Sequence, residues 1–443
     1  MRILYKIANK LFRIVKKILK LLTSRMVIIG VALLLEFCWL AGIVMQLNEK
    51  SVYINYAVTI LSLIAVLSII NNPKMNPGYK LMWAVCILAL PVTGICLYGI
   101  LGHSSVARKF RTHYDTVLLS QGGVLGEEEE TRKKLEEENI LAAGQSSYLT
   151  NYAHSPVYEN TETEYYPLGD VWFEHFIEEL KKAEHYIFME YFIISEGYLW
   201  DTVLEILKEK AAAGVDVRLI YDDFGCVTTL PYQYYKSLQQ MGIKCAAFNQ
   251  FRPVLNVILN NRDHRKIAVI DGHTAFTGGI NLADEYINRK ERFGHWKDSG
   301  ICLHGEAVWS FTVMFLQMWN ITERQPEDYA KYLTEKQPGF SRKDGYIIPY
   351  GDSPFDHENV GEEVYFHILN HAKKYVHIMT PYLILDNEMI DALTRAAKGG
   401  IEVQIIMPHI PDKPYAFYLA KTYYEELIAG GVEIYEYTPG FVH

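Results

Sequence analysis

One short stretch holds residue types whose spacing suits chemistry on a phosphodiester. It reads His264-Arg265-Lys266, four apolar residues (Ile267 to Ile270), Asp271, and then Gly278-Gly279-Ile280-Asn281. His264 and Lys266 are two apart, so on a β-strand their side chains leave the same face. An imidazole beside a fixed cation can form a covalent phospho-intermediate while lysine neutralises developing oxyanion charge. Asp271 ends the strand, where its carboxylate could orient an imidazole and fix its tautomer. Gly278 and Gly279 permit close backbone approach to a phosphate, and Asn281 offers it a neutral donor. His264, Lys266 and Asp271 are therefore the catalytic candidates, with Gly278, Gly279 and Asn281 as substrate-binding candidates.

Strands and helices alternate around this stretch. An amphipathic run over 170–184 leads into the apolar segment Tyr186 to Phe192. A helix over 198–213 precedes Val215 to Tyr221, and a helix near 230–241 precedes an apolar strand near 243–248. That order predicts an α/β layered domain. It then recurs: Tyr375 to Tyr382 is the counterpart of the 186–192 strand, and Gly400 before Ile401-Glu402-Val403-Gln404-Ile405-Ile406 matches Gly214 before Val215-Asp216-Val217-Arg218-Leu219-Ile220. The body reads as two copies of one α/β unit, over 166–330 and 331–443, the second incomplete where the sequence stops at His443.

Ahead of the body lie a basic amphipathic segment over 1–25 and three apolar runs at 26–48, 51–71 and 81–102. Runs of about 20 apolar residues predict two or three transmembrane helices within 26–102 and a multi-pass protein of the cell membrane. Residues 103–165 read as a linker, with a four-glutamate run at 127–130 and a charge-alternating solvated helix after it. The net charge is −9, of which the first 25 residues contribute +8, so the other 418 residues carry −17. A body that acidic is a poor general ligand for nucleic acid, whereas the basic start fits an anionic membrane surface. Six scattered cysteines without a C-x-x-C indicate neither a disulfide framework nor a zinc cluster.

The pattern H-x-K-x4-D followed by G-G-x-N resembles the signature of the phospholipase D superfamily. Asn76-Pro77-Gly78-Tyr79-Lys80, Leu90-Pro91-Val92-Thr93-Gly94 and Leu97-Tyr98-Gly99-Ile100-Leu101-Gly102 are similar to the N-terminal region of bacterial cardiolipin synthases. Tyr221-Asp222-Asp223-Phe224-Gly225 and Gly279-Ile280-Asn281-Leu282-Ala283-Asp284 also fit that family. The resemblance implies a phosphatidyltransferase that makes cardiolipin from two phosphatidylglycerols through a phosphatidyl-histidine, releases glycerol, and uses neither metal nor other cofactor. It implies one motif per copy, meeting at a pseudo-twofold axis, with His264 as nucleophile and His443, in Phe441-Val442-His443, as the second histidine. The lysine and aspartate of a second motif would follow His443, where this sequence ends; on its own, the chain as given is expected to be inactive or nearly so unless it is a fragment. A hydrolase of the same fold, or a membrane scaffold without activity, are the alternatives.

Two other groups were weighed by their chemistry. His367 and His371, one turn apart with Glu363 before them, form a packing face rather than a metal face, since no H-E-x-x-H pattern or third ligand accompanies them. His295-Trp296-Lys297-Asp298 follows the first motif and either borders the cleft or is structural.

Overall fold

The computed structural model describes residues 25–44, 49–73, 75–102, 112, 116–117, 124–126, 129–250, 261–323, 327–333, 345–354 and 358–443. The basic segment over 1–25 therefore lies almost wholly outside the described residues. The chain divides into two compact units, one holding the N-terminal helices and the other running over Arg111–Phe251 and Asn261–His443. Both α/β copies belong to that second unit.

In the N-terminal unit, helices span Arg25–Val44, Glu49–Ile70, Pro77–Ala89 and Pro91–Leu97, followed by a π-helical turn over Tyr98–Gly102. Among the described residues no helix is long and apolar enough to cross a membrane, which corrects the expectation of two or three transmembrane helices and of a multi-pass arrangement. The third apolar run breaks at Leu90-Pro91, because proline lacks the N–H a continuing helix needs. The second helix opens with Glu49 and Lys50 and is interrupted by Asn55, Thr59, Ser62 and Ser68. The first carries buried Glu36, whose carboxylate accepts from the Thr93 backbone N–H at 2.7 Å. An apolar cluster of Val66, Ile69 and Ile87 packs the helices together, beside the Glu36–Thr93 bond.

The second unit begins with helices Glu129–Glu138 and Ile140–Ala153. Strands follow in chain order: β1 (Thr161–Tyr166), β2 (Tyr186–Tyr191), β3 (Asp216–Asp222), β4 (Lys244–Phe248), β5 (Lys266–Ile270), β6 (Thr274–Gly278), β7 (His295–Lys297), β8 (Gly300–Gly305), β9 (Tyr375–Met379), β10 (Glu402–Pro408), β11 (Glu433–Tyr437) and β12 (Gly440–Val442). Seven of them form one sheet in the order β1-β8-β6-β5-β2-β3-β4. β2, β3 and β4 run parallel, joined by helices Tyr198–Ala212 and Tyr234–Gln240, while β5, β6, β8 and β1 add antiparallel. β1 starts inside the segment read as linker. Its Thr-Glu-Thr-Glu-Tyr-Tyr sequence is mostly polar because it is an exposed edge strand, so no apolar signal marked it.

The repeat is visible in the topology. β9, helix Asn387–Lys398, β10, two short helices (Pro414–Lys421 and Tyr424–Ala429) and β11 form a parallel sheet in the order β11-β10-β9, mirroring β4-β3-β2. β12 then leaves its own copy and pairs in parallel with β7 of the first, Phe441 opposite Trp296. Phe441 is buried in the first copy's core, its ring centroid 4.5 Å from that of Trp296. This crossing strand joins the two copies and leads directly to His443.

Candidate active site

β5 runs antiparallel to β2, so its first residues lie at the carboxyl ends of β2 and β3. Asp222, the fully buried last residue of β3, holds the segment leading to His264. It accepts from the Asp263 backbone N–H at 3.0 Å and from the Arg262 guanidinium at 3.3 Å, and also caps the turn through Phe224 and Gly225 N–H. Behind that segment, burial raises the carboxyls of both Glu190 and Asp263 above the usual range, and each lies near the other with Arg265 as their cation.

His264 is exposed, with its ring 4.6 Å from that of Phe192. The Lys266 ammonium lies 3.1 Å from its Nδ1 and 3.4 Å from its Nε2, and donates to its carbonyl at 2.7 Å. Enclosure by protein, then the charges of Lys266, His443 and Lys413, push the imidazole down to about 4. Neutral imidazole is the form that can attack phosphorus. Lys266 is buried, and desolvation pushes its ammonium down to about 8 against the opposing pull of Asp298 and Asp263.

The pairing of β12 with β7 brings in the second histidine. The His443 backbone N–H donates to the Lys297 carbonyl at 3.0 Å, and its Nδ1–H donates to Asp298 Oδ2 at 2.8 Å. Asp298 is buried and is also held by the Ser299 N–H at 2.8 Å and the Trp296 indole at 3.4 Å. Tyr286, Trp296 and Phe441 wall the imidazole, at centroid distances of 5.8, 6.1 and 6.1 Å. A carboxylate that fixes Nδ1 leaves Nε2 as the nitrogen that could carry a proton.

The remaining candidates fall differently from expectation. Asp271 sits at the far end of β5 from His264. Its carboxylate accepts three backbone N–H bonds, from Glu184, His185 and Tyr186, each at 2.7 Å, and its backbone takes φ +50. It fixes the start of β2 and orients no imidazole; Asp298 does that for His443. Gly278 (φ +143) and Gly279 admit the 298–300 segment: a Cβ on Gly278 would meet Ser299 O at 2.4 Å, and one on Gly279 would meet Asp298 Oδ1 at 2.1 Å. Their close approach is to the residue that orients His443. Asn281 is buried, accepts from Ile193 N–H at 2.9 Å and donates to the Tyr286 hydroxyl at 2.8 Å, so its amide ties the end of β2 to the wall of His443.

Sequence reading gives neither Asp222 nor Asp298 a role of its own, although Asp298 lies in the His295–Asp298 stretch that either borders the cleft or is structural. Asp298 is 145 positions from its histidine, so no local spacing links them. Asp222 was visible only as part of a motif. His367 and His371 take backbone carbonyls, Leu141 O at 3.0 Å and His367 O at 2.8 Å, and among the described residues no cluster of His, Cys, Asp or Glu could hold a metal.

Comparison with known proteins identifies the family. The profile of the family described as cardiolipin synthase, PLD-like domain, matches residues 176–319 and 365–443, and a phospholipase D-nuclease N-terminal profile matches 60–103. An uncharacterized protein of Streptococcus mutans is 45% identical over 392 residues, covering 86% of this chain and 82% of its own length. A cardiolipin synthase of Alkalihalophilus pseudofirmus is 32% identical over 388 residues, covering 86% of this chain and 76% of its own. A cardiolipin synthase 2 of Bacillus cereus is 34% identical over 376 residues, covering 83% and 71%.

Proposed function

The chain belongs to the cardiolipin synthase family of phospholipid phosphatidyltransferases, and on that premise we propose that it joins two phosphatidylglycerols into cardiolipin at a membrane surface, through a phosphatidyl group carried on His264. Neutral His264 attacks phosphorus of the first lipid, and an N–P bond forms as the P–O bond to the terminal glycerol breaks. His443 gives its Nε2 proton to the departing glycerol oxygen. It then takes the proton from a terminal hydroxyl of the second phosphatidylglycerol, whose oxygen attacks phosphorus and releases His264. Lys266 neutralises charge on the phosphoryl oxygens in both steps. The bond energy is retained in the N–P link, so the residues supply positioning and proton transfer.

The single observation that supports this reading is the pairing of unlike histidines: one among cations with an exposed face, the other on a buried carboxylate. The acidic body also fits lipid better than nucleic acid as the phosphodiester. The test is incubation with phosphatidylglycerol vesicles, following cardiolipin and glycerol. Equal amounts of the two, both abolished by His264→Ala, are expected of a chain that carries a second-motif lysine and aspartate after His443, and little or no product of the sequence ending at His443. Phosphatidic acid in place of cardiolipin would mean that water is the acceptor, and the transferase reading would fall to a hydrolase.

A further inference from the structure

The cleft holding the two histidines is rimmed by loops at the carboxyl ends of β3 and β10. In the first copy, the loop leaving Asp222 places the Phe224 ring 5.0 Å from the Arg262 guanidinium, two residues from His264, and then exposes Val227 and Tyr232. In the second, the N–H groups of His409 and Ile410 donate to the Gly440 carbonyl at 3.1 and 3.3 Å, three residues before His443. That loop leads directly into helix Pro414–Lys421, and the Lys413 ammonium at its start lies 4.3 Å over the Tyr382 ring. The charge of Lys413 weighs on His264, which ties the helix to the cleft.

The helix has an unusual surface. It buries Ala416, Phe417 and Ala420, yet its opposite face shows Tyr415 (73% exposed), Tyr418 (70%) and Leu419 (42%), spaced i, i+3, i+4. A helix face turned to water is ordinarily polar. An apolar, tyrosine-bearing face with lysine at each end is the composition of a helix lying in a bilayer interface, where tyrosine keeps its ring in the acyl boundary and its hydroxyl among head groups. Lys413 and Lys421 already touch carboxylates, Asp412 at 3.2 Å and Glu436 at 3.4 Å, so they add little net charge. Apolar contact must supply the binding.

We propose that this rim, with Tyr415, Tyr418 and Leu419 on one side of the cleft and Val227 and Tyr232 on the other, is the face by which the catalytic unit docks on a phospholipid bilayer. It rests on the reading of the chain as a lipid phosphatidyltransferase and names how that site meets its substrate: head groups reach His264 and His443 while the acyl chains remain in the bilayer. The two sides come from equivalent loops of the two copies, so the docking face shares the approximate symmetry of the active site.

Hydrogen exchange of the full chain, with and without phosphatidylglycerol vesicles, tests this at roughly 0.5 M salt, where exposed charges are screened beyond about 4 Å. The cationic start of the chain contributes little under that condition. Amides of 410–421 and 226–232 are expected to exchange at least about fivefold more slowly with vesicles. Vesicle binding without slowing in those segments, or the same slowing on raising protein concentration without lipid, would overturn the proposal. In sedimentation with vesicles, Tyr415→Ser/Tyr418→Ser/Leu419→Ser is expected to bind about tenfold more weakly at unchanged melting temperature, and equal binding would overturn it. Should the triple variant fail to fold, Tyr418→Ser alone gives the same reading at about threefold. His264→Ala separates the two readings: it is expected to dock as the parent does while making no cardiolipin. Docking intact with no cardiolipin from a chain carrying the second-motif lysine and aspartate after His443 would remove the function and leave the surface.

Discussion

His264 and His443 are the same residue type in equivalent places of two copies, yet their surroundings are opposite in sign. His264 lies among Lys266, Lys413 and the charge of His443, and no carboxylate bonds its ring among the described hydrogen bonds. His443 donates to Asp298, which is buried and held by two further donors. The first environment disfavours the imidazolium, whereas in the second a buried carboxylate fixes Nδ1. A repeat need not give equivalent residues equivalent surroundings: the positions are set by the fold, and under the proposed mechanism the neighbours assign attack to one histidine and proton transfer to the other.

The sharpest way to break this comparison is to remove each histidine's defining feature in turn. His264→Ala should lower turnover by about 10⁴ or more and abolish any phosphatidyl adduct recovered by mass spectrometry on the peptide containing residue 264. An adduct on His443 instead would reverse the assignment. Asp298→Asn should cost about 10²–10⁴ in turnover, since His443 loses the partner that fixes its Nδ1–H, with little change in melting temperature.

The pH profile sharpens the contrast further. Activity needs neutral His264 and charged Lys266. It should rise as pH climbs through about 4, the His264 value, and fall as pH passes about 8, where Lys266 loses its proton. In Lys266→Arg the alkaline fall should move above pH 8 in whatever activity remains, because a guanidinium stays charged. A limb unmoved by that change would assign it to another group.

The smallest effect on chemistry belongs to Asp271. Asp271→Ala strands three backbone N–H groups at the start of β2 and should cost about 2–4 kcal/mol of stability by denaturant unfolding. Turnover per folded molecule should change less than threefold, because the residue touches neither histidine. Asn should recover part of the loss, as it tolerates the left-handed backbone there.

The local pattern was enough to place the first half of the site. His264 and Lys266, two apart at the head of an apolar run, had to share a face. The duplicated glycine-strand pattern at Gly214 and Gly400 announced the parallel repeat. Charge and hydropathy served less well where they were read by length alone. The run over 81–102 looked continuous, but Pro91 divides it, and buried Glu36 bonds a neighbouring helix instead of interrupting a span.

What the sequence by itself determined was chemistry that depends on neighbours along the chain: the His-Lys pair, the α/β alternation, the repeat. Tertiary structure alone decided which carboxylate serves which histidine. Asp271 lies seven residues from His264 yet at the opposite end of the strand, where three N–H groups take its charge. Asp298 lies 145 residues from His443 and reaches it because β12 crosses to pair with β7, through main-chain hydrogen bonds that carry no mark in side-chain sequence. Strand pairing between distant segments is set by burial of Phe441 against Trp296, a contact that exists only once both copies are folded.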